Sequence, residues 1–525
     1  MYKKYSWALA LLLSGCQLTS TEPESTSSEQ TNTPTETQQP TTTVTIEEPQ
    51  PVPVVVEEPK VVTPQEQEDV WQRIAMQLHM TTPDHSKVEY YRKWYIKHPS
   101  HLRTVSQRAE PFLYLITEKI EERGLPLELA LLPVVESSFD AFAYSHGSAA
   151  GLWQFVPATG KAFGLEQNFW YDGRRDVAAS TDAALDFLTQ LNRRFDGDWN
   201  HAIAAYNSGG GRVSSAIRKN KKLGKPTDFF SLDLPKETSG YVPKLLALAD
   251  VLANKEKYGV EIPAIPNQPV LQLVDPKEQL DLAIAAKYAG MSVKELQSYN
   301  PAYNQWATSP TGPYQLLIPS SKVDAFLSEV EANRGKGVKL VRYQVKPGDS
   351  LSVIAQNHQT TSKVIRSANG LRNNSIRAGQ YLLVPTSTQD DAAYALSSSN
   401  RLAKIQSTSR GKYKQTHTVK SGDSLWTIAR ANKVSHKSLA RWNGMGPRDT
   451  LRIGQELVIW KNSSDGAIIR TVFYSVRNGD TISGIAQKFR VRSSDIVKWN
   501  NLEDQKYLKP GQKLKLYVDV TKVSV

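Results

Sequence analysis

The chain has 525 residues and one cysteine, Cys16, so several domains are required and an intrachain disulfide is excluded. No apolar run reaches the length of a membrane-spanning helix. The formal charge of +12 is unevenly placed. Residues 17–70 carry eleven acidic side chains against one Lys, and residues 334–525 carry 33 Lys and Arg against 12 Asp and Glu.

Lys3 and Lys4 precede an apolar stretch from Trp7 to Leu13, and Leu13-Ser14-Gly15-Cys16 follows. A positive start, a short apolar region and small residues before a cut describe a secretory signal over 1–15. The last four residues resemble a bacterial lipobox. The resemblance implies cleavage before Cys16, acylation of its thiol and amine, and a stable membrane anchor. Gln17 rather than Asp follows the cysteine, which in that kind of sorting points to the periplasmic face of the outer membrane. A chain exported in this way is not expected to meet nucleic acid, despite its basic C-terminal third. Residues 16–66 are rich in Thr, Ser, Glu, Gln and Pro, with almost no aromatics. Such a segment cannot bury enough apolar surface to order itself, and reads as a disordered acidic tether with a reach of about 40 Å.

From 67 to 262 the pattern is helical. Val70, Ile74 and Leu78 recur at helical spacing, as do Phe112, Leu115, Ile116 and Ile120, then Ala183, Leu185, Phe187, Leu188 and Leu191, then Leu245, Leu246, Leu248, Ala249 and Leu252. Strand signals are weak there. Within this domain Glu136 stands at the end of the apolar run Leu129 to Val135. Low dielectric raises a carboxyl pKa and keeps a proton available near neutrality. Ser145, Gly151-Leu152-Trp153-Gln154 and Ala205-Tyr206-Asn207-Ser208-Gly209-Gly210-Gly211 supply the polar groups and close backbone approach that a sugar-cleaving cleft needs. Asp140 lies one turn beyond Glu136 if the helix continues, and reads as a cap. Asp172, Arg174, Arg175 and Asp176 read as a structural ion-pair loop. No His spacing suits a metal, and no cofactor is expected.

The last third repeats. Tyr343 to Leu351, His417 to Leu425 and Tyr474 to Ile482 each carry a Gly-Asp turn, an Asn follows the Asp by twenty residues (Asn369, Asn443, Asn500), and each unit closes on Gly-Gln and an apolar strand. Strand, turn, helix, helix, strand is the reading, with Asp and Ser or Thr capping the first helix. The units span 341–386, 414–460 and 472–518. Residues 387–412 read as a linker, with a shorter one at 461–470. A decayed unit without the Gly-Asp turn lies at 265–320. Trp426, Trp442 and Trp499 read as core rather than as sugar platforms.

Glu136-Ser137, the Ser nine residues on, the Gln eighteen on and the Ala-Tyr-Asn resemble the catalytic domain of the family 1 soluble-type lytic murein transglycosylases. Trp153 stands where Met is usual in that family, which fits its membrane-bound D branch. The three repeats resemble LysM modules, which bind N-acetylglucosamine-containing glycans. The implied fold class is multidomain α+β, with a mainly α lysozyme-like catalytic domain followed by small βααβ modules. The implied partner is peptidoglycan, whose stem-peptide carboxylates suit the basic repeats, and a monomer is expected.

The resemblance also implies a mechanism with one carboxyl where ordinary glycosidases use two. Glu136 protonates the oxygen between N-acetylmuramic acid and N-acetylglucosamine, then takes the proton of the muramoyl C6 hydroxyl as that oxygen closes onto C1. Ser145 would hold Glu136 or nearby substrate, and Gln154 the sugar or the carboxyl. Tyr206 would orient Glu136 or stabilise charge at C1, and Asn207 would hold an acetamido group or local backbone. Glu237-Thr238-Ser239-Gly240-Tyr241-Val242 resembles a further element of the family, making Tyr241 a candidate contact of Glu136 or substrate. Two other functions stay open: a water-using muramidase of goose-lysozyme type, with Asp140 as helper, and a non-catalytic wall tether.

Overall fold

The computed structural model describes residues 62–145, 147–462, 469–503 and 507–519. The signal segment, Cys16 and nearly all of the expected tether lie outside the described residues. The end of the expected tether is ordered. Pro64–Glu66 forms a 3₁₀ turn, and Asn267 Nδ2 donates to the carbonyl of Gln67 at 2.8 Å.

Among the described residues ten α-helices build the N-terminal domain: α1 Val70–Ala75, α2 Ser86–Lys97, α3 Pro99–Ala109, α4 Leu113–Glu121, α5 Leu132–Ser137, α6 Pro157–Ala162, α7 Val177–Arg194, α8 Trp199–Ser208, α9 Gly210–Lys222 and α10 Lys236–Ala253. Start signals are explicit in the sequence. The side chains of Asp69, Asp176 and Asp198 accept from the first free N–H groups of α1, α7 and α8. The apolar stripes then meet in one core that contains Ile74, Ile116, Ile120, Leu185, Leu188, Leu245 and Leu252. Among the described residues of this domain the β contacts are isolated bridges such as Tyr144 with Ala150. Helix α1 ends at Ala75, so Leu78 packs on the core from outside a helix.

Arg73 is 3% exposed and fixes α1 to α4. Its guanidinium pairs with Glu118 and Glu121, and Nη1 donates to Asn267 Oδ1 at 3.0 Å. The expected ion-pair loop forms among Asp172, Arg174 and Arg175, whereas Asp176 caps α7 and accepts from the Tyr171 hydroxyl at 2.8 Å. Arg174 and Arg175 reach Asp172 at 2.9 and 2.8 Å, and Arg174 Nη1 also donates to the Ser148 carbonyl at 2.7 Å.

Four antiparallel two-stranded units follow among the described residues. The first pairs β1 Leu271–Val274 with β2 Leu316–Pro319 around α11 Leu282–Tyr288 and α12 Val293–Tyr299, with α13 Val323–Ala332 behind it. Next come β3 Lys339–Gln344, α14 Leu351–Asn357, α15 Ser362–Ala368 and β4 Tyr381–Thr386. After helix α16 Ser398–Ser407 come β5 Tyr413–Thr418, α17 Leu425–Ala431, α18 His436–Trp442 and β6 Glu456–Lys461. The last unit is β7 Ile469–Ser475, α19 Ile482–Phe489, α20 Ser493–Asn500 and β8 Lys513–Asp519.

The repeated Asn has a clear physical role. Asn443 Nδ2 donates to the carbonyls of Leu439 and Val458, both at 2.8 Å, while its Oδ1 accepts from Val458 N at 2.7 Å. It thus staples the end of the second helix to the closing strand. Asn369 and Asn500 do the same. So does Asn300 in the unit that lacks the Gly-Asp turn, with Leu296 and Leu317. The repeated Asp departs from expectation. Asp349, Asp423 and Asp480 accept from the turn N–H groups of Lys346, Lys420 and Arg477, and the helix cap falls to Ser350, Ser424 and Thr481 alone. Each Asp reaches back across two residues of turn to that N–H group.

Two further expectations are corrected. Trp426 is 55% exposed under Arg430, because it faces outward on the first turn of α17, whereas Trp442 is buried. Residues 387–412 are more than a loose linker. Tyr394 is buried among residues of the first two-stranded unit and donates to Asp281 Oδ1 at 2.7 Å, and α16 carries Arg401 over the Phe142 ring. The Ser- and Asn-rich composition masks that single anchoring aromatic. The third unit also touches the helical domain, where Tyr144 donates to Asp449 Oδ2 at 3.0 Å.

Candidate active site

Glu136 ends a short helix by design of its neighbours. Pro133 sits in the first turn of α5, where its missing N–H is harmless. Ser138 and Phe139 then take left-handed backbone angles and stop the helix. Asp140 therefore does not continue the Glu136 face. Its Oδ1 accepts from Phe142 N at 2.9 Å in a local turn, and it is absent from the cleft lining.

The cleft has a volume of about 400 Å³. Val135 and Glu136 come from α5, Asn207 from α8, Glu237, Gly240, Tyr241 and Lys244 from α10, and Tyr90, Tyr91 and Trp94 from α2. Gly240 lets the Tyr91 ring pack close to α10. A Cβ there would lie 2.5 Å from the Tyr91 hydroxyl.

The Tyr241 hydroxyl donates to Glu136 Oε1 at 2.5 Å. Burial raises the Glu136 carboxyl to about 7, against the opposing pull of that hydrogen bond. The charge of Glu237 pushes it further up and the ammonium of Lys244 pulls it down. A carboxyl in this range is half protonated at neutral pH and can both give and take a proton. Burial and the nearby Glu136 charge hold the phenols of Tyr206 and Tyr241 well above their usual range, so both stay donors.

The other candidates are placed as follows. Tyr206 donates to the Trp153 carbonyl at 2.8 Å rather than to Glu136. Ser137 Oγ donates to the Leu152 carbonyl at 3.0 Å, so two hydroxyls tether the Gly151–Gln154 turn behind the acid. Gln154 has a φ of 49° and donates its side-chain amide to the Gly151 carbonyl at 2.8 Å. Ser145 Oγ accepts from Gly147 N and Ala149 N at 3.2 and 3.1 Å. Neither Gln154 nor Ser145 lines the cleft or bonds Glu136; both satisfy the backbone of their own turns. Asn207 lines the cleft and accepts from Thr238 Oγ1 at 2.8 Å. Trp153 is fully buried and donates to Thr181 Oγ1 at 2.9 Å.

Sequence reasoning missed the α2 wall and two charges of α10. The signal for the first was Tyr90-Tyr91 with Trp94 on a helix whose buried side is already supplied by Val88 and Tyr95. The signal for the second was spacing: Glu237, Tyr241 and Lys244 stand at i, i+4 and i+7, one helical face.

Comparison with known proteins fits this arrangement. The Transglycosylase SLT domain matches residues 114–229, and the LysM domain matches 343–385, 417–460 and 474–516. Residues 270–333 match the LysM-like domain of the lytic transglycosylase MltD. Over 453 residues the chain is 36% identical to membrane-bound lytic murein transglycosylase D of Escherichia coli K12, covering 86% of each. The chain belongs to this transglycosylase D family. A "putative tributyltin chloride resistance protein" of an Alteromonas strain is 45% identical over 169 residues, 32% of this chain and 80% of its own length. Among solved structures, an inactive variant of the lytic transglycosylase Slt from Pseudomonas aeruginosa aligns over 37% of this chain and 33% of its own. Its identity is 19% and its TM-score 0.23. The decayed unit at 270–333 is thus a LysM-like module that a transglycosylase D relative shares, and no helix among the described residues is long and apolar enough to cross a membrane.

Proposed function

We propose that the protein is a peptidoglycan lytic transglycosylase that cleaves the bond between N-acetylmuramic acid and N-acetylglucosamine and leaves a 1,6-anhydromuramoyl end. The observation that carries this reading is Glu136, half-buried in a cleft with an aromatic wall and held by the Tyr241 hydroxyl. Its carboxyl, raised to about 7, donates its proton to the glycosidic oxygen as the C1–O bond breaks. The resulting carboxylate takes the C6 hydroxyl proton as O6 bonds to C1, so no water is consumed. Asn207 is the cleft residue suited to an acetamido group, and the rings of Tyr90, Tyr91 and Trp94 offer apolar faces to sugars.

Membership of the transglycosylase D family supports the activity, and three LysM units support retention on wall glycan. Our reading adds lipid on Cys16 as the anchor to the outer membrane and a monomeric enzyme. Labelling with a radioactive fatty acid, lost on replacing Cys16, tests the anchor.

One observation favours a water-using muramidase: Glu237 brings a second carboxylate to the cleft, where Asp140 does not. Mass spectrometry of digested sacculi separates the two. Anhydro ends, lighter by one water, are expected, and reducing ends would identify the muramidase. Glu136→Gln should abolish lysis; retained lysis would refute Glu136 as the acid in both readings, and sacculi left uncut by the wild type would leave the tether.

A further inference from the structure

Helix α10 presents three side chains to the cleft on one face: Glu237, Tyr241 and Lys244. Tyr241 holds the acid directly. The two outer groups carry opposite charge, and neither is used by the proton transfers described above.

Lys244 is half-buried, and its Nζ has a single hydrogen bond, 3.5 Å to the Val135 carbonyl, one residue before Glu136. Among the described residues no carboxylate lies within ion-pair distance of it. Burial holds its ammonium below the usual range, and the Glu136 charge pulls it back up. An unpaired, half-buried cation is unfavourable unless a negative charge forms beside it. Glu136 becomes that charge after its first proton transfer. Glu237 lies exposed at the rim and acts in the opposite sense, resisting ionisation of Glu136.

We propose that Glu237 and Lys244 are opposed positioning residues for Glu136, the first favouring its acid form for cleavage and the second holding its carboxylate until the C6 hydroxyl arrives. This rests on Glu136 serving as acid and then base. The step stays balanced: one proton leaves Glu136 for the leaving-group oxygen and one returns from O6. The ionisable groups around the acid and the lysine are Tyr206 from α8, Tyr241 from α10, Tyr90 and Tyr91 from α2 and His101 from α3, whose imidazole is held down by burial first and by the Lys244 charge second. The tyrosines stay neutral at working pH, which leaves Glu237, Lys244 and His101 as the charges that can act.

The test is the alkaline limb of the pH–rate profile of sacculus digestion by the full chain. Lys244→Met should move the limb up by about half to one pH unit, because Glu136 then ionises less readily. Glu237→Gln should move it down by a smaller amount, since that carboxylate is solvent-screened. Lys244→Arg should restore the wild-type limb. Limbs that do not move, or that move in the same direction, would overturn the proposal, as would a Glu237→Gln enzyme as inactive as Glu136→Gln. Absence of anhydro ends from the wild-type products would instead refute the underlying transglycosylase reading, whatever the limbs do.

Discussion

The Tyr241 hydroxyl and the Glu136 carboxyl meet at 2.5 Å although 105 positions separate them in the chain. The bond joins the end of a two-turn helix to the middle of an eighteen-residue one. It fixes the direction of the acid and withdraws part of the proton affinity that burial confers.

Tyr241→Phe keeps the ring and removes the donor. The rate of sacculus digestion should fall about 10- to 100-fold, in the range of losing one preorganised hydrogen bond. The pH–rate limb should move upward, because the lost bond lowers the Glu136 pKa. The melting temperature should change little.

The raised carboxyl also makes a stability prediction. The folded Glu136 binds its proton up to about pH 7, and its ordinary value is 4.5. The folded state therefore holds more protons between those values, and stability is lost as pH rises through that window. Glu136→Gln removes this penalty. The variant should be more stable than wild type at pH 8, by roughly 2 kcal/mol, and the difference should vanish below the ordinary carboxyl range. Denaturant unfolding at two pH values measures it.

Gly151 has a φ of 80°, and a Cβ there would stand 2.0 Å from the Arg174 carbonyl oxygen. Gly151→Ala must displace backbone that also carries the Ser148 and Asp172 contacts of Arg174. A loss of about 3 kcal/mol or more is expected in thermal unfolding.

Arg73→Met leaves Glu118 and Glu121 without their cation and frees Asn267 from its bond. Glu118 is 38% and Glu121 17% exposed, so water screens the charges left behind and the cost is about 1–3 kcal/mol. The expected result is a destabilised helical domain in differential scanning calorimetry, with the melting of the repeats unaltered.

Asn443→Ala removes four hydrogen bonds, among them the one its Oδ1 accepts from Gln406 Nε2 at 2.9 Å, from a residue that is 3% exposed. The third two-stranded unit should lose about 2–3 kcal/mol, because two carbonyls and one N–H are left buried without partners. Faster amide exchange confined to residues 414–460 would report it.

Much of this was legible because the signals were local. Asp69, Asp176 and Asp198 announce helix starts, and Glu136 follows an apolar run that becomes its low-dielectric wall. The repeats show themselves by spacing alone. What stayed hidden depends on chain-distant approach. Nothing near Tyr90 or Trp94 says that α2 will lie beside α10, and the roles of Glu237 and Lys244 require knowing which face of α10 meets α5. Ser145 and Gln154 each bond the backbone of their own turn, through a hydroxyl and an amide. Tyr394 escaped notice because one anchoring ring cannot outweigh a polar stretch in composition.

The hydrophobic cluster of the first two-stranded unit includes Trp170 and Tyr171, which belong by sequence to the helical domain. Trp306 packs its ring on Trp170 at 5.6 Å, and Asn304 N donates to the Trp170 carbonyl at 2.8 Å. The decayed module is thus the missing half of a wall. A fragment cut at residue 262 would present two bare indole and phenol rings to water, and would aggregate or borrow a cover from another molecule. Minimal versions of this enzyme should therefore keep the decayed module together with the Tyr394 segment that packs on it, rather than end at the last helix of the catalytic domain.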